Sequence, residues 1–267
     1  MFKSLERFVR VFTTGFCFVV FGLGGLAMRI VLFPMLAWAV RDPTVRARVV
    51  KQVIQAAFRT FLRMMRVLGV MSCEVRGAEK LQRQGLLVLA NHPTLLDVVF
   101  LMALTQRADC VVKAALRDNP FMRGPVTAAG FVCNDSGAAL VQDCIDSLQA
   151  GNNLIIFPEG TRTSRSGGMH LQRGAANVAV RGQVDITPVS IRCDPPTLSK
   201  GDKWYQIPLR RMHFVIEVCD DIAVAPFLDG VAEGVAARRL TTHLTEYFLE
   251  LAPAPANGQP ALAPAVA

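Results

Sequence analysis

Between Met71 and Leu251 short apolar runs alternate with segments of helical pattern, and this alternation restricts the fold more than any other feature of the chain. The runs Leu86–Ala90, Asp109–Ala114, Gly130–Cys133, Asn153–Phe157, Ile186–Arg192 and Met212–Val218 read as strands. Helices fit Leu95–Thr105, Gly137–Ala150, Gly174–Arg181 and Val231–Leu251. Strands separated by helices favour parallel pairing. The expectation is therefore an α/β domain over residues 71–251, with a mostly parallel central sheet flanked by helices. Residues 252–267 are uncharged, rich in Ala and Pro, and expected to be a disordered tail.

Residues 1–70 follow a different pattern. Val11–Met28 is 18 residues without a charge; Arg29 interrupts it, and Ile30–Val40 continues it with Pro34 inside. About 20 apolar residues cross a bilayer, so one span fits, and a shallow hairpin or interfacial helix pair fits equally well. A cleaved signal peptide fits less well, because the apolar region is long and no A-x-A-like site follows it closely. Thr44–Leu68 reads as one helix, with Val49, Val50, Val53, Ile54, Ala57, Phe58, Phe61, Leu62, Met65 and Leu68 recurring at three- and four-residue spacings and Arg48, Lys51, Arg59, Arg63 and Arg66 largely between. Such a helix either lies in a membrane interface or packs on the core with its Arg face in water. Residues 1–70 are thus expected to be membrane-attachment helices.

Charge supports this. The net charge is +8, and residues 1–66 carry eleven Lys and Arg against only Glu6 and Asp42. With 52% hydrophobic residues overall, that segment suits anionic lipid head groups. Nucleic acid is excluded as partner, since the folded domain lacks a basic stripe with interleaved aromatics. The seven cysteines are scattered with no C-x-x-C spacing, which argues against a disulfide framework or a zinc site and for a reducing, cytoplasmic setting. Gly22–Ala27 formally matches G-x-G-x-x-A, but it lies inside the apolar segment with no strand before it, so a dinucleotide site is excluded.

Two strand ends carry chemistry. The run from Leu86 passes directly into Asn91-His92-Pro93 and reaches Asp97 after Thr94-Leu-Leu. In open α/β sheets the carboxyl ends of strands hold the ligands. Pro93 suits the first turn of a helix, and a bend there can return the His92 imidazole over the Asp97 carboxylate. A carboxylate that fixes the tautomer of a His makes a general base, whose activity falls as the pH drops and the ring takes up a proton. A capping His and a solvated Asp is the plainer alternative. The second strand, from Asn153, ends in Phe157-Pro-Glu159-Gly160-Thr161-Arg162. There Gly160 permits close backbone approach, Arg162 can fork onto a phosphate or carboxylate, and Glu159 can orient that Arg or a substrate hydroxyl.

The two motifs in this order resemble those of the lysophosphatidic acid acyltransferase family. The resemblance extends to Lys113, Pro120–Gly124, Gln172-Arg173-Gly174-Ala175 and Ile186–Val189, and covers roughly Met71 to Cys219. It implies that His92 deprotonates an acceptor hydroxyl, which attacks the thioester of acyl-CoA or acyl-carrier protein, while Asp97 supports the His. It implies also that the Glu159–Arg162 loop, with Lys113 and Arg173, binds the acceptor. Lysophosphatidic acid would then become phosphatidic acid without cofactor or metal, at the inner (cytoplasmic) membrane with the site facing the cytoplasm. Membrane lipids and the acyl donor are the implied partners.

One block departs from the family pattern. Where an Arg is expected after Asn134-Asp135, this chain has Ser136. Either Arg117, Arg123, Arg165 or Arg173 replaces it, or the acceptor lacks the usual phosphate, as in an amino-acid lipid, a glycolipid or a polyene lipid. From other classes, a noncatalytic lipid-binding protein and an acyl hydrolase remain as alternatives; the absence of a serine elbow counts against the hydrolase. His170 reads as a solvated loop residue, and His213 and His243 carry no partner pattern.

Overall fold

The computed structural model describes residues 2–116, 118–119, 122–134, 139–163 and 169–251. The Ala/Pro tail, Ser136, Arg117, Arg165 and Gly137 lie outside the described residues. Six strands form one sheet: β1 Met71–Arg76, β2 Leu87–Ala90, β3 Ala108–Cys110, β4 Asn153–Ile156, β5 Ile186–Asp194 and β6 Met212–Val218. Their order is β1-β6-β5-β2-β4-β3, and every neighbouring pair is parallel except β5 with β6. The helices are α1 Phe2–Ala27, α2 Phe33–Ala39, α3 Pro43–Val67, α4 Asp97–Leu104, α5 Arg123–Ala129, α6 Leu140–Gln149, α7 Gly174–Gly182, α8 Ala225–Leu228 and α9 Glu233–Leu251. The mostly parallel α/β sheet expected from the sequence is present.

The central strand shows why. All four residues of β2 are buried; Leu87 and Leu89 point into one apolar cluster, Val88 and Ala90 into the other. Alternate strand residues face opposite sides, so an uninterrupted apolar run has to be covered on both. Ile54 of α3, Phe100 of α4 and Val126 of α5 cover one face; Ile145 of α6, Val178 of α7 and Leu240 of α9 cover the other. Farther out, β6 alternates buried with half-buried residues, and its open face carries Glu217 and His213, the latter bonded to Ser72 through Nδ1 at 2.9 Å.

Several expected boundaries move. Gly130–Cys133 is not a strand: Gly130 turns left-handed at φ +66° to close α5, and only Cys133 pairs, in an isolated parallel bridge with Val112. The run from Asp109 leaves the sheet after Cys110. Strand β1 was not among the expected ones; its sequence, MSCEVR, lies at the sheet edge and neither alternates sharply nor forms an apolar run.

At the N-terminus no hairpin forms within residues 11–40. A π-helical turn, Met28–Leu32, joins α1 to α2, and the Phe33 N–H donates to the Met28 carbonyl five residues back. That wide turn lets the rod pass Pro34, which has no N–H to give. The stretch Glu6–Ala39 is long and apolar enough to cross a bilayer. It approaches the domain closely at Gly124 of α5, where a Cβ would lie 2.6 Å from Arg29 Cβ.

Helix α3 starts at Asp42, whose carboxylate accepts from the Thr44 and Val45 N–H groups. Its apolar face shares the core of the sheet, and its polar residues reach across: Arg59 Nε donates to the Ala103 carbonyl at 2.8 Å and Gln55 to Thr105 at 2.8 Å. Lys51 Nζ pairs with Asp109 Oδ2 at 3.1 Å, both buried, and Asp109 also accepts from Ser147 Oγ at 2.7 Å. Breaking a buried pair from one side strands the other charge, at a cost of about 3–5 kcal/mol. Asp109→Ala is therefore expected to lower the melting temperature of the detergent-solubilised protein sharply, and adding Lys51→Met should recover most of the loss. A double variant as unstable as the single one would contradict this.

Candidate active site

The site is built where β2 and β4, side by side and parallel, both end. Asn91 continues β2 by side chain rather than backbone: its Nδ2 donates to the Ile191 carbonyl at 2.8 Å, and its Oδ1 accepts from the Ile191 N–H at 2.7 Å. His92 follows. Helix α4 does not begin at Pro93 but at Asp97, because the residues between curl around the carboxylate. Asp97 Oδ2 accepts from the Thr94 N–H at 2.6 Å and lies 2.9 Å from His92 Nδ1, while Oδ1 accepts from Thr94 Oγ1 at 2.6 Å. Thr94 Oγ1 in turn accepts from the Leu96 N–H at 3.1 Å.

Asp97 is completely buried, whereas the His92 side chain keeps 16% of its surface exposed. With the carboxylate accepting at Nδ1, the proton sits on that nitrogen and Nε2 is left as the basic atom of the ring. The Phe157 ring stacks on the imidazole at 4.2 Å and 27°, so the ring is held in plane as well as by its bond.

The second loop closes on the first. The His92 N–H is shared between Glu159 Oε1 at 3.1 Å and Thr163 Oγ1 at 3.2 Å, Thr163 Oγ1 donates to Glu159 Oε1 at 2.6 Å, and the Thr163 N–H donates to the His92 carbonyl at 2.7 Å. Glu159 is thus buried in backbone contacts rather than aimed at Arg162. Gly160 takes φ +65°, a conformation that side chains resist, and its N–H closes a turn onto the Phe157 carbonyl at 3.0 Å. Arg162 reaches the β5–β6 connection, where Nη1 donates to the Leu198 carbonyl at 3.0 Å and the Ser199 carbonyl at 2.9 Å. Leu198 also accepts from the Leu95 N–H at 3.1 Å, so this connection holds both loops.

Residues 72–192 match the sequence model of the family described as Acyltransferase. That stretch, just under half of the chain, is what is similar to the Acyltransferase family. The 1-acyl-sn-glycerol-3-phosphate acyltransferase of Saccharomyces cerevisiae is 29% identical over 145 residues, 50% of this chain and 47% of that one. That of Helicobacter pylori is 32% identical over 111 residues, 39% of this chain and 46% of that one. A lyso-ornithine lipid O-acyltransferase of Pseudomonas aeruginosa is 31% identical over 130 residues, 47% of this chain and 50% of that one. The chain spans about half the length of these curated relatives. The fold matches the crystal structure of the 1-acyl-sn-glycerophosphate (LPA) acyltransferase PlsC from Thermotoga maritima, with a TM-score of 0.67, 19% identity, and coverage of 93% of this chain and 96% of that one.

Of the residues singled out in the family's motifs, His92, Asp97 and Glu159 come together within hydrogen-bond reach. Thr161 is exposed beside them. Lys113 is exposed just past β3, at the same edge of the sheet, and Arg173 is exposed at the start of α7. Neither touches the His. Thr94, Thr163 and the Leu198–Ser199 carbonyls were missed by sequence reasoning. The first two lie inside or next to the motifs as small hydroxyl residues, but nothing in the sequence points to the carbonyls. His170 is exposed, and His243 packs between Phe227 and Tyr247.

Burial drives the Asp97 carboxyl above its ordinary value, against the downward pull of its bonds to His92 and Thr94. A carboxyl raised on folding contributes stability that is complete below the ordinary value near 3.8 and is lost as the pH rises through the raised one. Asp97→Asn does not titrate. The melting temperature of this variant, minus that of the parent, is therefore expected to increase from about pH 4 to about pH 8. A difference that stays flat or shrinks over that range would show that the carboxyl is not raised.

Proposed function

We propose that the chain is an O-acyltransferase that moves a fatty acyl group from acyl-CoA or acyl-carrier protein onto the hydroxyl of a lysophospholipid, with lysophosphatidic acid as acceptor and phosphatidic acid as product. One observation carries the reading: His92, between two strand ends, has Nδ1 bound to a fully buried carboxylate while 16% of its side chain stays exposed. In this reaction Nε2 takes the proton of the acceptor hydroxyl as its oxygen attacks the thioester carbonyl. The tetrahedral adduct then expels the thiolate, which recovers the proton from the imidazolium. Asp97 stabilises that imidazolium, and neither cofactor nor metal takes part. Lys113, Arg162 and Arg173, together with Gly160 and Thr161, line the acceptor side and supply its positive charge.

Ser136 and the similarity to a lyso-ornithine lipid O-acyltransferase support a second reading, with the same chemistry on a phosphate-free acceptor. The deciding assay offers palmitoyl-CoA and acylated carrier protein with lysophosphatidic acid, beside a panel of phosphate-free hydroxyl lipids. Product from lysophosphatidic acid is expected, and His92→Ala should lower the rate by about 10²–10⁴-fold. Transfer only to a phosphate-free lipid selects the second reading. Transfer that survives His92→Ala removes both.

Glu159 serves as a brace and not as an acceptor ligand. Glu159→Gln keeps an oxygen for the His92 N–H and the Thr163 hydroxyl, so its rate should stay within a few-fold of the parent. Glu159→Ala removes the acceptor of the Thr163 hydroxyl and one of the two acceptors of the His92 N–H, worth about 1–3 kcal/mol, and should slow turnover by about 10–100-fold. Equal losses in the two variants would return Glu159 to the substrate.

The proposed location is the cytoplasmic face of the inner membrane. Contacts of the N-terminal rod with the domain run from Arg10 to Arg29, about 30 Å of helix at 1.5 Å per residue. Phe8, Phe12, Phe16, Val19, Leu23 and Ile30 on its far side are exposed. A rod held along one flank and apolar on the other suits a position within one leaflet, parallel to the surface.

A further inference from the structure

We propose that the connection between β5 and β6 is a second membrane-contacting element. Trp204, Tyr205 and Leu209 enter the interfacial layer of an anionic bilayer beside α1, and Lys203 and Arg211 meet its phosphates. The inference rests on the membrane attachment of α1 and α2 stated above, and extends it to a part of the catalytic domain.

The segment reads Lys203-Trp-Tyr-Gln-Ile-Pro-Leu-Arg-Arg211, with large apolar side chains interleaved among basic ones. Trp204, Tyr205 and Leu209 are 48%, 46% and 65% exposed, although Ile207 between them is buried. Water is a poor setting for three such side chains in one loop, whereas Trp and Tyr are favoured at the boundary between hydrocarbon and head groups. Lys203 Nζ stands 5.8 Å from the Tyr205 ring centre, which keeps the cation at the level of the aromatic.

Position decides between a stray patch and a docking surface. The Trp204 ring rests on α1: it meets Phe18 edge-on at 6.4 Å, and a Cβ on Gly15 would lie 3.0 Å from it. Arg10 of the same helix donates to the Leu209 carbonyl. One helical turn either side of Gly15 stand Phe12 and Val19, both exposed. Trp204 therefore continues the apolar strip of α1 sideways, and a bilayer that receives the strip receives the indole.

The same connection begins at the catalytic loops. The Leu198 and Ser199 carbonyls hold Arg162, and the Ser199 N–H donates to Asp202 at 2.9 Å. Only a few residues separate the lipid contact from the acceptor loop, so seating the connection in a leaflet also fixes the carbonyls on which Arg162 rests.

The chain has two tryptophans, Trp38 on α2 and Trp204, so each can be left as the sole reporter. Trp38→Phe and Trp204→Phe, as full-length protein, are reconstituted on phosphatidylcholine vesicles containing phosphatidylglycerol, with bromine on the acyl chains as quencher or iodide in the water. Trp204 is expected to lose about half of its emission to brominated lipid and little to iodide. The double reversal Lys203→Glu with Arg211→Glu should shift it back toward iodide. If Trp38 is quenched by bromine while Trp204 answers only to iodide, the N-terminal attachment stands and this proposal falls. If neither responds to bromine, both fall. Shielding of Trp204 from iodide that appears only on adding acyl-carrier protein would assign the loop to that protein and overturn the proposal.

Discussion

A carboxylate removed entirely from water has to be met by donors on every side, and Asp97 imposes that demand on the residues around it. The Thr94 N–H and hydroxyl and the imidazole of His92 all turn toward it. To do so the chain leaves β2, loops once, and starts α4 only at Asp97 itself, where the open end of the helix favours a negative charge. The cost of burying the charge is visible in its raised proton affinity. What it secures is a single tautomer of a single imidazole, oriented by a bond at one nitrogen and by the face of Phe157.

That local arrangement stands only because two strands distant in sequence lie side by side. Parallel neighbours end at the same edge, so the loop after β4 is delivered next to the loop after β2. Glu159 and Thr163 then act on the backbone of His92 and not on its ring. The sequence reading assigned Glu159 to Arg162 or to a substrate hydroxyl. The geometry shows a bracing contact from its Oε1 to the His92 N–H and the Thr163 hydroxyl, and gives Arg162 a pair of carbonyls from a third segment.

What was legible in the sequence follows from this division. Strand β2 could be read because burial on both faces leaves it wholly apolar, β4 and β5 because Leu154–Ile156 and Ile186, Val189 and Ile191 outweigh their polar residues, and the His92–Asp97 pair because its partners are five residues apart. Strand β1 escaped because an edge strand tolerates Glu74 and Arg76 on its open face. Helix α5 escaped because Gly124 and Pro125 mask its start, and the glycine is there for the passage of Arg29 rather than for a turn. The N-terminal rod was open to a hairpin reading because Pro34 is a breaker in an ordinary helix, and a π turn just before it removes the conflict. Partners that depend on which strands are neighbours, such as the Leu198 carbonyl, leave no mark in a linear pattern.

The contacts around His92 also carry an order of assembly. The imidazole finds Asp97 at a separation of 5 residues, its backbone finds Glu159 and Thr163 at 67 and 71, and the adjoining Asn91 finds Ile191 at 100. Closing longer loops costs more chain entropy, and a chain made from its N-terminus meets these partners in the same sequence. A nascent polypeptide halted before the second strand end would hold the His92–Asp97 pair without the brace. The imidazole and its carboxylate are thus made well before the partners that hold the neighbouring backbone in place.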